Sequence, residues 1–315
     1  MISCTAYIPR LKREGIRGVY SQEFKQEVSS VAQSGDWSGI EAIKVAGGFD
    51  FPEGATVAAD GSIFLVNCSN DIINRVTPDG VSSVYARVPG KGNGTKLRPD
   101  GRLVVCDYFA NCIVEVDTAG NTTMLVDSDI EGNPLSRGPN DVCIAKSGDL
   151  YFTTPQGSGK NNPVGKVYHH SRQTGRTTIV AEGLAFPNGI SLNADESMLF
   201  VAESQHSRVW RFPILKPHLL AAGRVHVTLD GGWDPDGMDF DVEGNLYIAY
   251  FGSGMMVVVD PDGAVVAQIP AGGKNPTNLS FGGPNGDWIY LTEAQSNSLY
   301  LFKVGRKGMH LAGGN

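Results

Sequence analysis

The sequence predicts an all-β protein, a closed ring of six similar units behind an N-terminal extension, and three observations carry that expectation. The 315 residues include 40 Gly and 17 Pro against only 19% charged residues. That composition suits short strands and tight turns and argues against helical bundles and coiled coils. One phrase recurs along the chain: a β-rich run, a polar turn that in most copies is centred on Gly, and a second β-rich run. The copies lie about 40 to 48 residues apart, the length of one four-stranded blade of a β-propeller. Six copies therefore predict a six-bladed β-propeller.

The elements follow in chain order. Residues 1–38 lack the repeat and form an extension, in which Glu23–Val28 is weakly amphipathic and reads as a short helical or irregular arm. The arm either covers one face of the ring or makes a dimer contact. Glu41–Ala46 is the candidate strand that closes the ring by joining the final blade. The copies themselves are Ala55–Val66, Pro99–Val105, Val142–Phe152, Ile190–Val201, Met238–Ile248 and Leu279–Leu291. Further strands follow most copies, among them Ser207–Phe212 and Met255–Asp260, the latter ending in the turn signal Pro261-Asp262-Gly263. The propeller is expected over 39–306, with 307–315 as a tail.

Charge and composition narrow the function. The net charge is −7, and the one basic cluster, Arg10–Arg13, is too short to serve as a nucleic-acid footprint. No run of about 18 apolar residues exists to span a membrane. Met1–Ala6 leads into charged residues without an apolar core, so the start does not read as a secretory signal. Five cysteines, an odd and sparse set, read as buried reduced thiols of a cytoplasmic protein. Cys106 and Cys112 flank a predicted hairpin but are read as free thiols.

The chemistry is carried by a frame that recurs just before four of the copies: Pro52-Glu53-Gly54, Pro139-Asn140-Asp141, Pro187-Asn188-Gly189 and Pro235-Asp236-Gly237. Equivalent positions in successive blades surround the central channel, so these four side chains are expected to converge at one mouth. Asn-Gly and Asp-Gly are ordinary turn dipeptides, and Asp79-Gly80 and Asp262-Gly263 are read as no more than that. The shared Pro-X frame at blade spacing sets the four apart. Two carboxylates and two amides offer only oxygen ligands, which suits a hard divalent cation such as Ca²⁺ or Mg²⁺ and argues against structural zinc. No serine-hydrolase elbow is present, since Gly252-Ser253-Gly254 falls in a predicted hairpin. Trp233 lies three residues before Asp236 and is a candidate wall for a substrate. His206 and the pair His169-His170 are read as loop or solvent-facing residues.

The phrases Phe51-Pro52-Glu53-Gly54, Phe186-Pro187-Asn188-Gly189-Ile190, Pro235-Asp236-Gly237-Met238 and Pro276–Gly283 resemble the regucalcin/gluconolactonase/luciferin-regenerating-enzyme-like family. The resemblance covers about residues 45 to 304 and implies a six-bladed propeller with one catalytic divalent metal in its channel. It implies hydrolysis of a small-molecule lactone or related ester, with Ca²⁺ foremost and Mg²⁺, Mn²⁺ or Zn²⁺ as alternatives. By match to the family's motifs, Glu53, Asn188 and Asp236 would be metal ligands, and Asn140 a fourth ligand or a substrate contact. Asp236 would be the general base, with Asp141 a second candidate. The chain departs from the family at two substrate positions: Gly138 stands where many members have a basic residue, with Arg137 one step away, and Thr154 stands where Asp is frequent. Both departures weaken gluconolactone as the substrate. The alternatives are a non-catalytic calcium-binding scaffold and an arylesterase- or strictosidine-synthase-like propeller. Oligomeric state stays open.

Overall fold

The computed structural model describes residues 37–129, 131–135 and 138–309. The arm expected around Glu23–Val28, the residue Arg137 and the end of the tail lie outside the described residues. Within them the chain forms six antiparallel sheets, each built from strands consecutive in sequence except the last. The innermost strands of blades 1 to 6 are Pro52–Val57, Gly92–Leu97, Val142–Ile144, Pro187–Leu192, Asp234–Phe240 and Pro276–Gly282. Each repeat copy detected in the sequence is the hairpin between an innermost strand and its neighbour.

The ring closes as expected. Ile43–Gly47 is the outermost strand of blade 6 and pairs antiparallel with Ser298–Lys303, with Ile43 opposite Leu301 and Gly47 opposite Ser298. This removes the free edge that an open array would expose. Before it, Trp37 packs edge-on against Tyr247 at 5.7 Å, and the Arg306 guanidinium lies 3.8 Å over the Trp37 ring. Blade 4 departs from the four-strand plan. Its third strand, Arg208–Lys216, runs to nine residues, so it pairs with Arg224–Thr228 over its first half and with Leu219–Leu220 over its second.

The core sits between blades rather than inside any one. Six clusters of buried side chains fill the six junctions; one, for example, joins Phe200, Ala202 and Val209 of blade 4 to Met238, Phe240 and Ile248 of blade 5. Inner strands are buried on both faces, as sheets stacked around an axis require. Cys68, Cys106, Cys112 and Cys143 are free and buried in this packing. His169 and His170 correct the expectation of solvent-facing residues. Both are buried, with His169 Nε2 3.1 Å from Asp149 and His170 Nδ1 2.9 Å from Thr177 Oγ1. Strand alternation alone does not reveal that their strand, the third of blade 3, is paired on both edges, with the Tyr151 ring 5.0 Å from that of His169. Among the described residues no helix is long and apolar enough to cross a membrane.

Candidate metal and active site

Every junction between blades is tied near the axis by a hydrogen bond. The Thr95 hydroxyl donates to Gly54 O, Gly94 N to Asn140 O at 2.6 Å, and the Thr153 hydroxyl to Asn188 O at 2.8 Å. Ser204 Oγ donates to Pro235 O at 2.7 Å, Phe281 N reaches Asp239 Oδ2 at 3.5 Å, and Thr277 Oγ1 donates to Pro52 O at 2.8 Å. These bonds hold the residue after each frame proline, or its equivalent, at one level. That level is Glu53, Asn93, Asn140, Asn188, Asp236 and Thr277. In every blade but the third a bulge lies between this level and the ladder beyond it, as between Glu53 and Thr56 or Pro187 and Ile190, and re-aims the chain there.

Four members of the ring carry the oxygens expected from the sequence. Glu53, Asn140, Asn188 and Asp236 are 4, 5, 6 and 8% exposed. Three of them are in direct interaction: the Asp236 carboxyl accepts a hydrogen bond from the Asn188 amide and feels the charge of Glu53, along with those of Asp141 and Asp234. Burial, first, and then these like charges hold the Asp236 carboxyl well above the usual carboxylate range. Asn140 Oδ1 and Asn188 Oδ1 are buried without any hydrogen-bond partner. Buried amide oxygens cost about 1–3 kcal/mol when left unsatisfied. Facing carboxylates with unmet amide oxygens form a site that an oxygen-seeking divalent cation fits. Among the described residues no three His, Cys, Asp or Glu side chains gather to hold a metal, so the amides are essential to the set.

One residue deeper, the channel is filled by two side chains. The positions following the ring are Gly54, Gly94, Asp141, Gly189, Gly237 and Asn278. A Cβ at Gly94 would overlap Asp141 Oδ1, and one at Gly237 would overlap the Asn278 amide. The glycines thus leave room for Asp141 and Asn278 to meet, and Asn278 hydrogen-bonds the Asp141 carboxyl. Asp141 also accepts from Val142 N at 2.9 Å. Its pKa is pushed up to about 6 by burial, against the opposing pull of Lys96. Asp141 is therefore the floor beneath the ring.

Of the remaining sequence candidates, Trp233 and Thr154 lie among the described residues. Trp233 is 48% exposed, its backbone N–H donating to Tyr250 Oη at 3.2 Å. Thr154 ends the second strand of blade 3, buried, with its hydroxyl 3.5 Å from Lys166 O. It occupies the place taken by Asn67, Asp107, Glu203 and Glu293 in blades 1, 2, 4 and 6. Those side chains accept backbone N–H groups of the loop entering the ring, such as Asp50, Gly90, Ala185 and Asn275. Sequence reasoning missed Asn93, Thr277, Asn278 and the junction hydroxyls. Gly92-Asn93-Gly94 lacks the frame proline, although its blade spacing and X-Asn-Gly pattern were a usable signal.

A family model described as "SMP-30/Gluconolactonase/LRE-like region" matches residues 51–295. The chain belongs to that family. Among SMP-30/gluconolactonase relatives, it is 25% identical over 284 residues to a gluconolactonase of Zymomonas mobilis, covering 80% of this chain and 78% of the other. It is 30% identical over 228 residues to the diisopropyl-fluorophosphatase of Loligo vulgaris, covering 67% and 71%. The fold matches a solved calcium-binding protein, the regucalcin of Agrobacterium tumefaciens, with TM-score 0.73 at 19% identity over 85% of this chain and 95% of that one. Both ends of the motif set, Phe51-Pro52-Glu53-Gly54 and Pro276–Gly283, fall inside the matched family region.

Proposed function

We propose that this protein is a metal-dependent hydrolase that opens a lactone, or a related small ester, by adding water in the channel mouth. The observation that carries the reading is the set of four buried oxygen-bearing side chains, two of whose amide oxygens have no hydrogen-bond donor. Relatives named gluconolactonase and diisopropyl-fluorophosphatase support hydrolysis as the reaction type. A relative in fold described as calcium-binding agrees with Ca²⁺ as the ion.

Glu53, Asn140, Asn188 and Asp236 would hold the cation, an all-oxygen set that suits Ca²⁺. When bound, such an ion polarises a carbonyl and lowers the pKa of water beside it. The Asp236 carboxylate, buried beside Glu53 and hydrogen-bonded by Asn188, would receive the proton of the attacking water. Asp141, hydrogen-bonded in the floor, fixes the negative charge beneath the ring and is the lesser candidate for base. Asn140 doubles as a contact to the substrate carbonyl, and Trp233 forms a wall of the mouth. Thr154 belongs to the blade 3 corner of the substrate site. Water adds to the carbonyl carbon, the ring C–O bond breaks, and the ring oxygen takes a proton to give a hydroxy acid. At neutral pH the acid ionises and releases one proton per turnover.

That proton is the readout. A pH-indicator assay on sugar, aliphatic and aromatic lactones, after EDTA and after adding back Ca²⁺, Mg²⁺, Mn²⁺ or Zn²⁺, should show turnover restored by one metal. Asp236→Ala should lower it by at least about 10³-fold. Full activity after complete metal removal would overturn the mechanism. Tight calcium binding with no turnover on any lactone would favour a calcium-binding scaffold instead.

A further inference from the structure

The residue two places before the ring residue has a left-handed backbone in blades 1, 3 and 4: φ is 57° at Phe51, 59° at Gly138 and 61° at Phe186. Glycine adopts that conformation freely, whereas a side chain such as Phe does so at a cost of about 1 kcal/mol or more. Blade 3 uses glycine. Blades 1 and 4 place a half-buried phenylalanine there, immediately before the ring residues' prolines.

Three more aromatic rings stand at the same level. Phe251 pairs with Asp234 across blade 5, and its ring lies 6.4 Å from that of Phe51. Trp233 precedes Asp234 and packs on the backbone beside Phe251, where a Cβ at Gly252 would strike its ring. Tyr108 leans over Gly138, whose Cβ would lie 3.0 Å from the tyrosine ring. Aromatic residues thus stand in the segments that enter the ring in blades 1, 4 and 5 and at the corner of blade 3, and the rings of Phe51 and Phe251 meet from the two blades that flank blade 6.

Resting on the hydrolase reading, we infer that Phe51, Phe186 and their aromatic neighbours select a substrate with an aryl or extended alkyl group beside the scissile carbonyl, against polyhydroxylated sugar lactones. Rigid rings bury apolar area at little entropic cost and offer few hydrogen bonds to hydroxyl groups, so hydrated sugars lose more than they gain there. The backbone cost at positions 51 and 186 offsets against binding energy at the mouth.

The test measures binding and turnover separately. Two lactams serve as hydrolysis-resistant probes for calorimetry with the calcium-loaded protein: 3,4-dihydro-2-quinolinone, the lactam of dihydrocoumarin, and gluconolactam. The aryl lactam should bind about 10-fold tighter or more, and Phe51→Gly and Phe186→Gly should each remove most of that preference. In turnover, the same variants should lower kcat/KM for dihydrocoumarin more than for unsubstituted δ-valerolactone. Their melting temperatures should hold or rise, because glycine relaxes the left-handed backbone. Equal or tighter binding of gluconolactam, or variants that keep the aryl preference, would overturn the inference. Aryl-selective binding without turnover of any lactone would instead overturn the hydrolase reading and leave the aromatic selection standing.

Discussion

Asn188 in blade 4 and Thr277 in blade 6 occupy equivalent places on the ring and use their side chains in opposite ways. The Asn188 amide donates to Asp236 and leaves its own buried oxygen without a donor. The Thr277 hydroxyl is engaged by Pro52 O and by the backbone and hydroxyl of Thr292. One position keeps unmet bonding capacity at the mouth; the other spends it on closing the ring. Equivalence of place in a repeat therefore fixes where a side chain sits, while its neighbours decide whether it serves the site or the scaffold.

The contrast can be broken from either side. The largest effect is expected from Glu53→Gln, which removes one of the two ring carboxylates. Calcium affinity by calorimetry should fall roughly 100-fold, and the metal-free protein should melt higher because Asp236 loses a like charge. A calcium affinity unchanged by this substitution would remove Glu53 from the site. Thr277→Val should do the reverse. It removes the single hydroxyl proton that Pro52 O accepts and should cost about 1–3 kcal/mol in chemical denaturation, with calcium affinity nearly unchanged.

The smallest effect separates the two roles by pH. Asp141 is raised from 3.8 to about 6, and Asp236 is raised in the same direction. In the metal-free fold both hold protons more tightly than in the unfolded chain. The contribution of Asp141 to stability is full below about pH 4 and is lost as pH rises through about 6, and that of Asp236 is lost in the same direction. On the proposed reading calcium would displace the proton of Asp236 and draw off that of Asp141 beneath it, so the rise in melting temperature on adding calcium should grow over that window in the wild type and in Thr277→Val. It should be blunted in Glu53→Gln. A calcium increment that is flat with pH would contradict the assignment.

Much of this was legible in the sequence because a closed ring repeats its instructions. The alternation and turn chemistry, as around Asp60-Gly61, Ser147-Gly148 and Glu243-Gly244, mark the inner hairpins, and the four Pro-X frames, three of them followed by Gly, mark four of the six ring positions. What was illegible depends on contacts between blades. Nothing local to Gly94 or Gly237 says that Asp141 and Asn278 fill the space they leave. Asn93 escaped because Gly92 replaces the frame proline. The burial of His169 follows from Asp149, twenty residues away. The fifth strand of blade 4 arises because Arg208–Lys216 continues past the point where other blades turn.

The bond from Thr277 to Pro52 spans 225 residues, and Ile43–Gly47 has its partner strand only at Ser298–Lys303. On a ribosome, every candidate ligand is synthesised before the segment that brings blade 1 against blade 6. Contacts this distant in sequence form late, since the intervening chain must be ordered before they are rewarded. A nascent chain can thus carry all four oxygen-bearing residues and still lack the geometry that joins Glu53 to Asp236. On the proposed reading, capture of an ion would then mark a closed ring, the last event of folding rather than its seed.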